Sequence, residues 1–269
     1  MTNYSKEHRA YLKRLKQRKA GIAIGRWAVI LIFIGLWELL AQTKAIDSFI
    51  TSCPSEMATT LVMLFKTGSL AKHIGVTLLE TVVGFLLATV LGLIVAIALW
   101  WFEIARKITE PYLVILNALP KIALGPVIII WVGAGTPAII VMALLISLII
   151  TIMSILQGFL TVDEGKIRLF KTMKATKMQT LTKLVLPSNI PNIMSVLKVN
   201  VGLSWVGTIM GEYLVSKAGL GYLIIYGGTV FQLNIVMTAT LVLCILAALM
   251  YWVIAIIEKI VNKRYNFNV

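Results

Sequence analysis

Acidic charge is scarce in this chain. Only 11 of its 269 residues are Asp or Glu, and charged residues of both signs make up 13%. A soluble domain carries about 25% charged residues, most of them on its surface, so water is not the solvent for most of this sequence. Cysteine is nearly absent as well: Cys244 lies inside an apolar run and Cys53 just outside one, and no disulfide framework is read from the two. The histidines are His8 and His73 alone, and no grouping of Cys, His and acids has metal-ligand spacing, so neither a metal nor another cofactor is expected. No string of the form G-x-x-x-x-G-K-[ST], the loop that cradles nucleotide phosphates, occurs. Any ATP-derived energy therefore has to come from another polypeptide, and the chain is not expected to be an enzyme.

What is present is apolar. Hydrophobic residues reach 59% and the mean hydropathy is +0.93. Runs near or above the roughly 20 residues that cross about 30 Å of hydrocarbon recur along the chain. They predict an all-α polytopic membrane protein with six spans, over residues 24–41, 75–101, 111–132, 137–160, 190–211 and 232–257. Residues 1–23 form a basic N-terminal segment, 42–74 a polar stretch and 258–269 a tail. Within the polar stretch, residues 55–66 read as a short amphipathic helix lying on the membrane surface. The second span closes on Trp100, Trp101 and Phe102, aromatics that favour the interface.

The basic residues give the orientation. The net charge is +14, and Lys6, Arg9, Lys13, Arg14, Lys16, Arg18, Lys19 and Arg26 crowd in front of the first apolar run. The N-terminal region and segments 102–110, 161–187 and 258–269 carry 8, 2, 6 and 3 Lys or Arg, while the alternate loops hold Lys44, Lys66, Lys72 and Lys217. Positive charge is retained on the cytoplasmic side of a bilayer, which places both termini there. The distribution points to the lipid bilayer as partner and away from nucleic acid. No small-residue cleavage pattern follows the first run, which argues against a removable signal peptide.

Segment 161–187, TVDEGKIRLFKTMKATKMQTLTKLVLP, combines six basic residues with apolar ones at helical spacing. Asp163 is placed to cap a first turn, and Pro187 is expected to end the segment. Three readings stand on these grounds: a lipid-surface anchor, a packing strut, or a docking element for a soluble partner.

With this segment in view the chain resembles the permease subunits of binding-protein-dependent ABC importers, the sulfonate/nitrate/taurine group in particular. The resemblance rests on Leu36-Trp37-Glu38-Leu39-Leu40-Ala41, Pro54-Ser55, Leu119-Pro120-Lys121-Ile122-Ala123-Leu124-Gly125-Pro126 and Trp131-Val132-Gly133. It continues through Leu186-Pro187, Gly202-Leu203-Ser204-Trp205, Glu212 and Gly219-Leu220-Gly221-Tyr222. The family's cytoplasmic signature is Glu-Ala-Ala, three residues, Gly, nine residues, Ile-x-Leu-Pro. It falls here on Arg168-Leu169-Phe170, then Lys174, then Leu184-Val185-Leu186-Pro187. The spacing and the final Leu-Pro match, whereas the Glu, both alanines and the glycine do not.

The resemblance implies a type I importer (MetI-like) permease fold with a coupling helix between spans four and five. It implies two copies of an ATPase subunit, an extracytoplasmic substrate-binding protein and a homodimer of this chain. The coupling contact would involve Asp163, Gly165, Ile167, Arg168, Phe170, Lys171, Lys174, Leu186 and Pro187. Helix 163–178 would act as a rigid lever.

For a solute path the sequence offers breaks and polarity. Pro120, Gly125 and Pro126 interrupt the third span, either as a packing kink or beside an aqueous cavity. Asn200, Ser204 and Thr208 lie four apart on one helical face with Trp205 beside them, and read equally as helix-to-helix glue or as pore lining. The resemblance favours lining for this stripe. Glu212 and Glu80 are candidate gate residues or interhelical contacts, and Glu38 reads as structural. Gly219 to Tyr222 read as a turn. The resemblance implies a family that carries sulfonates, nitrate, bicarbonate, taurine and vitamin precursors, so a small polar or anionic solute is expected. An ion-coupled secondary transporter is the rival; it would show internal repeats and midplane acids, and neither is seen in the sequence.

Overall fold

The computed structural model describes residues 6–43, 45 and 52–264, and within them the backbone is helical almost throughout with no strand. Lys44 and the outermost residues of both termini lie outside the described residues. Five helices are long and apolar enough to cross a membrane: α1 (Lys6–Gln42), α3 (Ser69–Trp101), α6 (Thr136–Leu160), α8 (Lys177–Val215) and α10 (Leu233–Arg264). The pair α4 (Glu103–Ala118) and Lys121–Val132, bent by 87°, is apolar and long enough together to make a sixth when counted as one broken span. The second half of that pair is a 3-10 turn, Lys121–Leu124, followed by α5 (Gly125–Val132). Shorter helices are α2 (Pro54–Lys66), α7 (Glu164–Thr172) and α9 (Leu220–Thr229).

Helix α6 is the centre of the bundle, packed between α3 and α8. Small residues make that approach possible, as expected where lipid supplies no hydrophobic drive between helices. A Cβ at Gly84 of α3 would stand 2.7 Å from the Ala143 Cβ, and one at Gly92 would stand 2.5 Å from Thr151 Cγ2. From the other side, a Cβ at Gly207 of α8 would strike the Ala143 backbone, and one at Gly211 would sit 3.0 Å from Ile139 Cα. Ala143, fully buried, is therefore touched from both neighbours. By contrast, the apolar run of α1 has no buried window, and α1 meets the rest of the chain through α2. There Trp37 Nε1 donates to the Ser52 carbonyl at 3.2 Å. Glu38 accepts from the Ser55 N–H at 3.1 Å, tying down the first turn of α2, which bears out its structural reading.

Several sequence expectations change. The fifth helix does not begin after Pro187 but runs unbroken from Lys177 to Val215 through Pro187 and Pro191. A π-helical turn, Leu181–Val185, precedes the prolines. The Ser188 hydroxyl and Asn189 amide donate to the Leu184 and Val185 carbonyls one turn back, at 2.6 and 2.9 Å, and Pro187 falls in the first turn after the π turn. Residues 163–178 are not one lever: α7 ends at Thr172, Lys174 turns left-handed (φ 56°), and a capping box between Thr176 and Gln179 starts α8. Gly219 to Tyr222 open the ten-residue α9 rather than a plain turn. Helix α2 is not a free surface helix, because Leu64 is buried in a cluster with Leu220, Leu223, Ile235 and Val242.

Candidate translocation and coupling site

The segment between α6 and α8 is built by local capping. Asp163 Oδ1 accepts from the Lys166 N–H at 3.1 Å and starts α7. Its end is a Schellman turn: the Ala175 N–H donates to the Phe170 carbonyl and the Lys174 N–H to the Lys171 carbonyl, each at 3.0 Å. The left-handed residue such a turn requires is Lys174, which stands where the family signature has its glycine. A glycine would adopt that backbone without strain.

Helix α7 presents two different faces. Ile167 and Phe170 are half-buried against a cluster that includes Leu156, Phe159, Leu181 and Val185, and Leu186 packs on the same cluster. Pro187 is half-buried in α8. Gly165, Arg168, Lys171 and Lys174 are exposed, and so are Leu169 (57%) and Met173 (72%), so the apolar residues at helical spacing divide between a seated pair, Ile167 and Phe170, and an exposed pair. Arg168 pairs along the helix with Glu164 at 3.0 Å. Lys177 joins this region to the end of α3: its Nζ donates to the Trp101 carbonyl and lies 5.4 Å and 5.8 Å from the Trp101 and Trp100 rings. An ammonium there also meets the negative end of the α3 dipole.

The polar stripe of α8 faces α6. Asn200, Ser204 and Thr208 are fully buried. Asn200 Nδ2 donates to Thr151 Oγ1 at 2.6 Å, and Ser204 Oγ lies 3.2 Å from Ser147 Oγ. Thr151 and Ser147 in turn donate to the Ser147 and Ala143 carbonyls. The stripe is placed as the joint between two helices, and Trp205 is buried beside it with Phe85 and Val201. The uncovered side of α8 is instead Ser195, Val199, Gly202 and Val206, with open space beyond Gly202. Ser147 and Thr151 were legible as a four-residue spacing in the apolar middle of that helix.

Pro120 makes the bend: the helix stops at Ala118 and resumes in a 3-10 turn. Pro126 interrupts nothing, because it occupies the first turn of α5, where its missing N–H has no partner to lose. Gly125 is buried, with Leu214 and Met142 against the position of a Cβ. Around these residues the broken span leaves Ile115, Leu119, Ile122, Val127, Ile130 and Trp131 exposed.

Two features were missed from the sequence. A polar groove of about 740 Å³ opens between α6 and α8 near their ends at the basic side, lined by Ser154, Gln157, Thr161, Ser188, Asn189 and Asn192 among others. Asn192 Nδ2 donates to the Ser154 carbonyl at 3.1 Å, over Gly158, whose missing side chain leaves room for the Asn189 and Asn192 amides. Lys198 binds both Glu258 oxygens at 2.8 Å, an ion pair between α8 and α10. Glu212, at the opposite end of α8, accepts from the Gly221 and Tyr222 N–H groups at 2.6 and 3.4 Å and so caps α9. Among the described residues no group of His, Cys, Asp and Glu is disposed to hold a metal ion.

An all-helical bundle with a sharply broken span and a basic, capped connection between its central helices defines an integral membrane transport subunit. The family described as "Binding-protein-dependent transport system inner membrane component" matches residues 88–267, and the chain belongs to it. It is thus a permease subunit of the ABC importer class and not itself an enzyme. A probable ABC transporter permease protein of Haemophilus influenzae is 29% identical over 83% of this chain and 91% of its own length. The putative aliphatic sulfonates transport permease protein SsuC of Bacillus subtilis is 23% identical over 87% of this chain and 85% of its own. Among solved structures, the inward-facing MetNI methionine ABC transporter contains a chain of the same fold. It has a TM-score of 0.64 and 23% identity, covering 73% of this chain and 97% of the other.

Proposed function

We propose that two copies of this chain form the translocation path of an ATP-driven importer for a small polar or anionic solute. Two ATPase subunits would drive it from the cytoplasm, and an extracytoplasmic binding protein would deliver the solute. The observation that carries this reading is α7: a capped helix at the basic end whose inner face is fixed to the bundle and whose outer face offers Leu169 and Met173 beside Arg168, Lys171 and Lys174. An apolar pair ringed by cations on a rigidly seated helix suits a groove with a complementary rim. Both termini lie in the cytoplasm on the basic-residue count, and the solute class follows the aliphatic sulfonates in the name of the Bacillus subtilis relative.

In this reading the coupling residues divide by role. Arg168, Lys171 and Lys174 meet the ATPase with Leu169 and Met173, while Ile167, Phe170, Leu186 and Pro187 hold the helix and pass its motion to α6 and α8. Asp163 and Gly165 shape the first turn. The path runs between the uncovered α8 face at Gly202 and the broken span at Pro120 and Pro126, and leaves through the polar groove. Asn200, Ser204, Trp205, Thr208 and Gly125 support it from behind by fixing the helices that form it, and Glu212 secures its outer end. ATP-driven closure would switch a bistable packed interface between inward and outward openings.

The test is solute uptake into proteoliposomes holding this chain alone, or this chain with its ATPase and binding protein. Uptake that needs all three components and ATP supports the proposal. Uptake by the chain alone along an ion gradient would establish the secondary-transporter reading instead.

A further inference from the structure

We infer that Glu80 and Glu212 form a protonation site, holding one exchangeable proton between their carboxyls at the end of the bundle opposite the basic segments. Glu80 of α3 and Glu212 of α8 are 1% and 2% exposed, and their carboxyls approach within hydrogen-bonding range of one another. Two ionised carboxylates cannot share a dry site without a counter-charge. Among the described residues neither forms an ion pair with Lys or Arg.

The hydrogen-bond inventory divides the pair unequally. Glu212 Oε2 accepts from the Gly221 and Tyr222 N–H groups, at the positive end of α9. That end suits an anion. Glu212 Oε1 and both oxygens of Glu80 have no charged donor and no N–H donor among the described residues; the only hydroxyls beside them are Thr136 at Glu80 and Thr77 at Glu212. One proton on Glu80, donated to Glu212 Oε1, satisfies the pair in a single step, since a protonated carboxyl is a donor. Of the groups that might otherwise serve, the Thr136 hydroxyl supplies Glu80 with one hydrogen bond but no counter-charge, and the other two are committed. The Thr77 hydroxyl donates to the His73 carbonyl at 3.1 Å and accepts from the Leu220 N–H at 2.7 Å. His73 Nδ1 accepts from the Gly219 N–H at 2.8 Å and is therefore unprotonated there, so His73 is not an imidazolium counter-ion.

The titratable groups that surround the pair are His73 on α3, Tyr213 on α8, Lys217 in the α8–α9 connection and Tyr222 on α9, stacked 5.8 Å from His73. Glu80 and Lys217 both line a cavity of about 330 Å³, together with Val76, Thr136, Ser216 and Ala218 among others. That cavity is the route by which the proton exchanges with water. Loss of the proton leaves two adjacent carboxylates beneath the first turn of α9, where Gly219 (φ 125°) already has the Glu212 carboxylate against the position of a Cβ. Ionisation therefore loosens the seat of α9 on α3 and α8.

The experiment is infrared spectroscopy of the full chain in lipid nanodiscs at about pH 7, following the carbonyl stretch of a protonated carboxylic acid and its shift in D2O. The wild type is expected to show this band, and Glu80→Gln, which keeps an N–H donor toward Glu212, is expected to lack it. The melting temperature should be the same for both near neutrality. Because the native state holds a proton that the unfolded chain releases, the wild type should lose stability relative to Glu80→Gln as the pH is raised. If Glu80→Gln fails to fold, Glu80→Asp serves, moving the band instead of removing it. A wild type without the band overturns the inference, as does a band unchanged by both substitutions. So does a melting temperature that rises when sodium replaces choline in the wild type alone, which would make the occupant a metal cation.

Discussion

The α6–α8 joint and the α7 connection hold the same two helices in opposite ways. In the joint, uncharged groups meet across the bundle: Asn200 with Thr151, Ser204 with Ser147, and Gly207 and Gly211 against the α6 backbone. Every one of these side chains is buried, and none carries charge. In the connection the bonds are nearly all local, the Asp163 cap, the Schellman turn and the Thr176–Gln179 box, and the charged side chains stand in solvent. The joint is closed to any partner by burial. The connection has an unspent surface and a shape fixed without one. A subunit moved from outside itself needs both: a stiff transmission and an accessible handle.

Damage to the joint should be the most severe. Gly207→Val drives a branched side chain into the Ala143 backbone and should cost about 3 kcal/mol, the upper end for overpacking, read as loss of a folded peak in detergent or a large fall in melting temperature. Asn200→Ala should cost about 1 kcal/mol, within the range for interhelical hydrogen bonds in membranes. A double-mutant cycle with Thr151→Ala should recover most of that as coupling. At the boundary between the regions, Lys177→Met removes a cation–π contact and a bond to the Trp101 carbonyl. It should lower stability by about 0.5–1 kcal/mol while uncoupling ATP hydrolysis from uptake in the assembled transporter. The smallest change has the opposite sign. Lys174→Gly relieves a left-handed residue and should stabilise by up to about 1 kcal/mol, measured as a small rise in melting temperature. A destabilised Lys174→Gly would mean that the Lys174 side chain is needed for more than its backbone.

How much of this was legible depended on where the partner lay. The two most apolar helices were read to within a few residues at most ends, 75–101 against Ser69–Trp101 and 137–160 against Thr136–Leu160, because hydropathy alone specifies them. Pro187 and Pro191 misled, since a proline commonly signals a helix end, whereas here a π-helical turn precedes them and the helix runs on through both. Helix α9 was invisible as a helix because its cap comes from Glu212, Thr77 and His73, the last two nearly 150 residues away. The spacing of Asn200, Ser204 and Thr208 was plain in the sequence, but not the choice between joint and lining, which rests on what stands opposite. The degenerate signature was the reverse case. Its Glu, alanines and glycine do not match, yet a left-handed residue of the kind a glycine favours is present at Lys174.

The central claim is that this permease is driven through the outward face of α7. Its most direct measurement compares ATPase binding and ATP-dependent uptake for the wild type and for Leu169→Asp with Met173→Asp, both side chains being exposed and outside the core. The account predicts an unchanged melting temperature with a loss of ATPase affinity of 100-fold or more, on the order of two apolar anchors at about 1.5 kcal/mol each, and uptake lost with it. Full affinity and full uptake in the doubly substituted chain would contradict it.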